Sequence, residues 1–292
     1  MKKRILITGA RGVLGKELMK SLNQKYDVYG IDIAPCDNEN ISQVDIRHYG
    51  DVYRALDGID YVIHAASLHG IDLNSRSRLD FIESNVVGTA NLLEASSFYK
   101  IEKFIYISST SVYGSSKDNR SNAAWYVHEE LPVNPVDIYD LTKLQGEELC
   151  KHYTKSYGLP TLIFRAAKFY EGPDPVENYV QRLYKGTDVR DLVQAIELGL
   201  EKSELKADIF NIAAQTPFKY EDVQDLMSHP EKVIWNLFPE MKRIFEDNSW
   251  KIPNSIKKVY CIDKAVKELG YKPNHNFEEI LQLINKKQGA LK

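Results

Sequence analysis

The sequence predicts an α/β protein: a doubly wound parallel sheet carrying a small, mostly helical C-terminal lobe. Three observations point there. Short continuous apolar runs alternate with amphipathic stretches through the first half, as strands do when crossover helices bury both faces. A glycine-rich turn, Thr8-Gly9-Ala10-Arg11-Gly12-Val13-Leu14-Gly15, follows the first of those runs. Beyond about residue 215 the alternation fades and helix breakers accumulate.

Ile5-Leu6-Ile7 reads as the first buried strand and residues 13–24 as the helix after it. Residues 26–33 form the second strand, and Tyr61-Val62-Ile63-His64 the next, after a helix near 50–57. A long helix over about 78–99 leads to a strand at Phe104-Ile105-Tyr106-Ile107-Ser108. A helix over about 138–157 leads to Leu162-Ile163-Phe164. These repeats assign residues 1–170 to one doubly wound α/β domain. Residues 171–187 are short and turn-rich; a helix near 189–201 and a strand near 207–212 return 188–215 to the sheet. Residues 216–292, punctuated by Pro217, Pro230, Pro239, Pro253 and Pro273, complete the lobe with 171–187. No internal repeat or low-complexity tract is found.

Composition narrows the function. The chain has 38 basic and 41 acidic residues, a net charge of −3, so nothing pulls it toward nucleic acid or anionic membrane. No charge-free apolar run approaches the roughly 18 residues of a membrane span. The basic start, Met1-Lys2-Lys3-Arg4, lacks the apolar stretch of a signal peptide. Cys36, Cys150 and Cys261 are odd in number and far apart. They fit a reducing compartment, and neither a disulfide framework nor a metal site is expected. A cytoplasmic enzyme or binding protein remains.

The glycine turn sits between strand and helix, where backbone must bend tightly and approach an anion closely. Asp32 ends the second strand, 17 residues after Gly15. An acid there accepts hydrogen bonds from an adenosine ribose and repels a 2′-phosphate. No basic residue follows in Ile33-Ala34-Pro35-Cys36-Asp37. The expected cofactor is therefore NAD rather than NADP.

Tyr139 and Lys143 lie four apart, on one face of the predicted helix. A phenol has a pKa near 10, and bringing it to neutrality takes roughly 4 kcal/mol of preference for the phenolate. A neighbouring ammonium and a cationic nicotinamide are expected to supply much of that. Such a phenol exchanges a proton with a substrate oxygen while hydride moves. Ser108-Ser109-Thr110-Ser111-Val112-Tyr113-Gly114 begins at a strand's carboxyl end, where α/β sites form.

These motifs in order, with Asp45-Ile46, His64-Ala65-Ala66 and Asn85, resemble the extended short-chain dehydrogenase/reductases, specifically the NAD-dependent epimerase/dehydratase group. The resemblance covers about 1–170. It resumes at Asp188-Val189-Arg190-Asp191-Leu192-Val193, at Phe210-Asn211-Ile212 and at Leu269-Gly270-Tyr271-Lys272-Pro273. It implies a Rossmann fold, Tyr139 as acid/base, Lys143 as its electrostatic partner and a ribose ligand, and Ser109 as the catalytic hydroxyl. The implied cofactor wall takes in Gly9, Arg11, Gly12, Val13, Leu14 and Gly15, then Asp32 and Ile33. It continues through Asp45 and Ile46 at the adenine, Ala65, Ala66 and Ser67, and Asn85, Ser108 and Ala166, with Tyr139 and Lys143. It also implies a homodimer paired through the long helix and the Tyr139 helix.

Departures from the family pattern narrow the reaction. Thr110 and Ser111 stand where 4,6-dehydratases carry an Asp-Glu pair, which disfavours dehydration. No cysteine lies near Ser109, unlike the 3,5-epimerase/reductases. Oxidation, reduction or C4 epimerisation of a sugar or sugar nucleotide remains. Lys168 replaces the family's asparagine and faces either a substrate anion or solvent. Only 174–187 lie where the family usually inserts several tens of residues for the nucleotide diphosphate. That shortness resembles the uronate dehydrogenases, which take sugars without a nucleotide. Candidate substrate contacts are Ser67, His69, Ser109, Thr110, Lys168 and Arg182; surface roles for Arg182, Lys185 and Arg190 are the alternative. A non-catalytic NAD sensor is the reading from a different class.

Overall fold

A computed structural model describes residues 2–115, 123–169 and 176–280. Its strands are β1 (Arg4–Thr8), β2 (Asp27–Asp32), β3 (Ile41–Gln43), β4 (Tyr61–His64), β5 (Lys103–Ser109), β6 (Trp125–Val127), β7 (Thr161–Ala166), β8 (Asp208–Ile212) and β9 (Lys258–Tyr260). Seven of them form one parallel sheet in the order β3-β2-β1-β4-β5-β7-β8. The order reverses direction between β1 and β4, and a doubly wound sheet opens its ligand crevice at such a point.

Strand alternation sorts the core into two layers. Ile5, Ile7, Ile105, Ile107, Leu162 and Phe164 face α1 (Val13–Leu22) and, six helices on in the chain, the helix Val189–Glu201. Leu6, Phe104, Tyr106 and Ile163 face the other layer. That layer holds α2 (Tyr49–Ala55), the long helix of α3 (Arg78–Phe81) and α4 (Gly88–Phe98), and α5 (Ile138–Tyr157). Neighbouring strand residues thus serve opposite layers, as a period of two requires. A π-helical turn, Ile82–Val87, joins α3 to α4; the sequence reading expected an uninterrupted helix. Asp137 caps α5, its carboxylate accepting from the Asp140 N–H at 2.9 Å, so Tyr139 falls in the first turn.

Toward the C-terminus come α6 (Val176–Arg182), α7 (Val189–Glu201), α8 (Val223–Ser228), α9 (Pro230–Leu237) and α10 (Pro239–Asp247). Apart from α7, which packs on the sheet, these helices share a second apolar core that contains Val180, Leu226, Ile234, Met241, Phe245 and Phe277. The expected lobe, 171–187 with 216–292, does not follow the packing. Ile262, Ala265, Leu269 and Tyr271 belong to the α1 and α7 layer, while Ala124 joins the second core. The small parallel sheet of β6 and β9 explains this. It lies between the two cores, so Tyr126 and Val259 face one while Val127 and Tyr260 face the other. Residues 171–175 and 281–292 of that expected lobe lie outside the described residues.

Candidate active site

The glycine turn forms a cradle that side chains would fill. Gly9 has φ +69°, and a Cβ there would come within 2.9 Å of the Ala66 backbone; one on Gly15 would lie 2.1 Å from the Gly9 carbonyl oxygen. The cradle opens into a cleft of about 560 Å³. Of the expected wall, Gly9, Arg11, Gly12, Asp32, Ile33, Asp45, Ile46, Ala65, Ala66 and Ser67 line it, with the candidate substrate contact His69. Asp32 accepts from the Arg11 N–H at 2.9 Å and the Ala34 N–H at 3.0 Å, which fixes the carboxylate at the strand end. Arg47 pairs with Asp45 at 2.6 Å and holds its carboxyl below the usual range. The Ser67 hydroxyl is buried and has no hydrogen-bond partner among the described residues. A backbone cradle at a helix N-terminus, a fixed strand-end acid and an orphaned hydroxyl fit a dinucleotide.

Three expected wall residues do other work. Leu14 is buried in the core under α1. Ser108 donates its hydroxyl to Glu147 at 2.6 Å, so it is spent inside the protein. Asn85, 1% exposed, accepts from the Leu68 N–H at 2.7 Å and donates to the Leu68 carbonyl and the Thr142 hydroxyl, both at 3.0 Å. It ties the loop after β4 to α5 rather than presenting its amide to the cleft. Val13, half-buried, starts α1 behind the cradle. The sequence reading missed Arg47, Arg76, Asp80 and Ser84, which also line the cleft. Asp80 and Ser84 lie four apart on the long helix, while Arg76 precedes its Ser77 cap, so the three carry no common helical period.

A chain of hydrogen bonds backs the wall. The Ala66 N–H donates to Thr8 Oγ1 at 3.0 Å, and Thr8 lies 2.7 Å from His64 Nδ1. His64 Nε2 lies 2.9 Å from Thr89 Oγ1, which donates to the Asn85 carbonyl at 2.6 Å. Every donor is used once if His64 is neutral with its proton on Nε2. Burial, with Lys143 nearby, pushes the His64 pKa from 6.5 down to about 3. The unfolded chain therefore binds the proton first, and this contribution is whole above pH 6.5 and lost as pH falls toward 3. Urea midpoints should show roughly 2 kcal/mol of it gone at pH 5. His64→Gln should remove that part of the slope; an unchanged slope would refute the assignment.

The carboxyl end of β5 meets the first turn of α5. Ser109 Oγ accepts from the Ser111 N–H at 3.1 Å and acts on the Tyr139 phenol through a hydrogen bond that lowers its pKa. Lys143 Nζ donates to the Ile107 carbonyl at 2.8 Å and sits 6.0 Å from the Tyr139 ring centroid. Burial outweighs the Ser109 bond and raises Tyr139 to about 12. Burial likewise lowers Lys143 to about 7, opposed by Glu147 one turn on, so the lysine's own charge is weakly held. Positive charge brought beside both groups is what would favour the phenolate. His69 lies 6.1 Å from the Tyr139 ring. Its ring reaches solvent yet is walled by protein, and desolvation with Lys143 lowers its pKa to about 4. Thr110 turns its hydroxyl to the Ala166 carbonyl at 3.5 Å, closing the strand ends together.

On the substrate side, Arg182 is neither a surface charge nor an open contact. It is 3% exposed and pairs with Asp188 and Glu279, both at 2.7 Å. Arg190 joins the same carboxylates at 2.8 and 3.3 Å. Asp188, His275 and Glu279 lie close enough together to hold a metal ion, but those guanidiniums occupy two of the three. Lys168, exposed, bridges backbone with Gly186, and the Lys168 N–H donates to the Lys185 carbonyl at 3.3 Å. Trp235 and Trp250 pack on the second core, and Cys150 is buried in the α5 layer.

No helix among the described residues is long and apolar enough to cross a membrane. The model of the NAD dependent epimerase/dehydratase family matches residues 5–187, more than half of the chain. The chain is 28% identical over 262 residues to a dTDP-D-glucose 4,6-dehydratase of Dictyostelium discoideum, covering 75% of this chain and 60% of that one. It spans about half to three-fifths of the length of the curated relatives it matches. A solved UDP-glucose 4-epimerase of Thermotoga maritima has TM-score 0.71 and 22% identity, covering 99% of this chain and 100% of its own. A solved mutated uronate dehydrogenase has TM-score 0.71 and 20% identity, covering 98% and 86%. At such identities the likeness is one of fold. The match over most of the sheet means that the chain belongs to the NAD-dependent epimerase/dehydratase family.

Proposed function

We propose that the protein is an NAD-dependent enzyme that moves hydride at a sugar carbon. The observation that carries this is the meeting of Ser109, Tyr139 and Lys143 beside the glycine cradle. Bound NAD supplies a hydride acceptor and, when oxidised, a positive ring. The cradle and the N-terminus of α1 would hold its phosphates, and Asp32 its adenosine ribose. Ser109 holds the reacting oxygen by hydrogen bond, and Tyr139 takes or returns the hydroxyl proton. Lys143 would donate to the ribose and, when protonated, add positive charge near the phenol. Thr110 and Ser111 offer no carboxylic acid, which disfavours elimination of water.

Two outcomes share this chemistry. A sugar-nucleotide 4-epimerase returns the hydride to the same sugar; a dehydrogenase of a free sugar or sugar acid keeps it on the nicotinamide. The second gains from one observation: Arg182 and Arg190 are spent on Asp188 and Glu279, which removes two cations from the region where a nucleotide diphosphate would lie. Nicotinamide absorbance separates the readings. Steady growth with a free sugar acid and none with any sugar nucleotide would dismiss the epimerase. Tight NAD binding with no turnover across a broad panel would favour the sensor instead.

A cytoplasmic homodimer fits this reading. Leu79, Ile82, Val87 and Phe98 on the long helix, with Leu141 and Tyr157 on α5, leave large apolar side chains exposed. The wild type should sediment as a dimer and a Leu79→Glu/Leu141→Glu variant as a folded monomer; identical masses would reject this face as the interface.

A further inference from the structure

The turn that carries the catalytic hydroxyl is tied to the small sheet at its start, its end and its exit. Ser109 ends β5, and a 3₁₀ turn, Thr110–Tyr113, follows it directly. At the start, the Tyr260 hydroxyl donates to the Thr110 carbonyl at 3.4 Å. At the end, the Tyr113 hydroxyl donates to Asn211 Oδ1 at 2.8 Å. Asn211 Nδ2 in turn donates to the Val127 carbonyl at 3.1 Å and the Cys261 carbonyl at 3.3 Å. Val127 closes β6, and Cys261 follows β9. At the exit, Lys258 Nζ donates to the Gly114 carbonyl at 2.6 Å. Lys258 and Tyr260 both belong to β9, where they pair with Trp125 and Val127 of β6. The Lys258 ammonium lies 5.3 Å from the Trp125 ring. Among the described residues its charge therefore rests on a carbonyl and an aromatic face rather than on an acid.

We propose that β9 aims the catalytic hydroxyl: Lys258 and Tyr260 are positioning residues that hold the turn after β5 so that Ser109 Oγ meets both the reacting oxygen and the Tyr139 phenol. The Lys258 contact reaches Ser109 through two hydrogen bonds. The Gly114 N–H donates to the Ser111 carbonyl at 2.8 Å, and the Ser111 N–H donates to Ser109 Oγ at 3.1 Å. Gly114 has φ +43°, and a Cβ there would lie 1.9 Å from the Asn134 carbonyl oxygen. The exit of the turn is thus an uncommon backbone shape in a tight space, and a charge-assisted hydrogen bond, the stronger kind, fastens it. The same small sheet touches both cores, with Tyr126 and Val259 on the lobe side and Val127 and Tyr260 on the other. The lobe and the hydroxyl that would hold the sugar's oxygen therefore share one support.

This inference rests on the proposed role of Ser109, and two measurements keep the two apart. Hydrogen exchange read by mass spectrometry tests the brace without a substrate. In Lys258→Met, whose side chain still covers Trp125, residues 108–115 should exchange about tenfold faster than in the wild type, and residues 5–15 at the wild-type rate. Turnover tests the consequence, with glucuronate and NAD read by nicotinamide absorbance and UDP-glucose read as its 4-epimer. On the probe that the wild type turns over, Lys258→Met should lose about 10- to 100-fold in kcat, the cost of a small misplacement. KM and NAD affinity should stay within twofold. Lys258→Arg should recover most of the loss. Tyr260→Phe, which keeps the ring and every charge, should show the same pattern more weakly, and it decides the matter if Lys258→Met does not fold. Wild-type exchange and kcat in both variants would overturn the inference. So would a parallel fall in unfolding midpoint, NAD affinity and kcat, which would make β9 a structural strand only. A wild type that turns over neither probe would count against the proposed function, while the exchange of 108–115 would still decide the brace.

Discussion

Tyr139→Phe should lower turnover about 10²- to 10⁴-fold, the range of a lost acid/base group, and leave NAD affinity within twofold. The two effects separate because of where the residue sits. Cofactor-cleft residues come from the glycine turn, the ends of β2 and β4, and the segment from Arg76 to Ser84; Tyr139 is not among them and stands at the edge, against His69 and Ser109. Removing its hydroxyl takes the proton's partner and little packing. The pH dependence has a definite sign. At about 12 the phenol is protonated at neutrality, so oxidation of an alcohol by the wild type should speed up as pH rises, until the phenolate dominates. Tyr139→Phe should lose that rise. A variant that keeps more than a tenth of wild-type turnover would rule Tyr139 out as the proton carrier.

What the sequence made legible follows from how each signal is written. The sheet was readable because β1, β4, β5 and β7 carry continuous apolar runs of three or four residues, and helices α5 and α7 carry a capping aspartate at their start. β3, β6 and β9 have three residues each, too few for a period of two to show. Their pairing is decided by what they lie between, and Trp125-Tyr126-Val127 reads as an undifferentiated apolar cluster until both cores are seen. The site divides likewise. Gly9, Asp32 and Tyr139 announce themselves by spacing. The fate of a polar side chain does not: Ser108 and Ser109 are neighbours in one serine-rich run, and only strand alternation sends one hydroxyl to Glu147 and the other to Tyr139. Arg182 and Arg190 looked alike in sequence, yet the fold buries one wholly beside Asp188. Electrostatics was legible least. A lysine one turn from a phenol suggests a lowered pKa, but burial of both reverses the sign.

Glu147→Gln should destabilise the fold by about 3–5 kcal/mol, the cost of leaving a buried charge without its partner. Glu147 is 0% exposed and Arg165 3%. Their contact is bidentate, Nε to Oε1 at 2.9 Å and Nη2 to Oε2 at 2.7 Å, and Ser108 adds its hydroxyl at 2.6 Å. A guanidinium does not shed its proton to escape burial, and the amide offers it one weaker acceptor. Stacking on Tyr113, 4.8 Å away, does not replace the lost charge. The pair ties β7 to α5, and Ser108 ties β5 to both, directly beneath Ser109 and Lys143. The predicted consequence is therefore double. Urea unfolding should show Glu147→Gln much weakened, while Glu147→Met/Arg165→Met should recover most of the stability, because apolar replacement of both partners removes the stranded charge. Turnover should not recover with it. In the double variant, Ser109 and Tyr139 keep their side chains but lose the ionic tie that fixes their strands and helix in register. Glu147→Gln as stable as the wild type would show that the pair contributes nothing to the fold. A double variant with full turnover would show that the site does not depend on it for alignment.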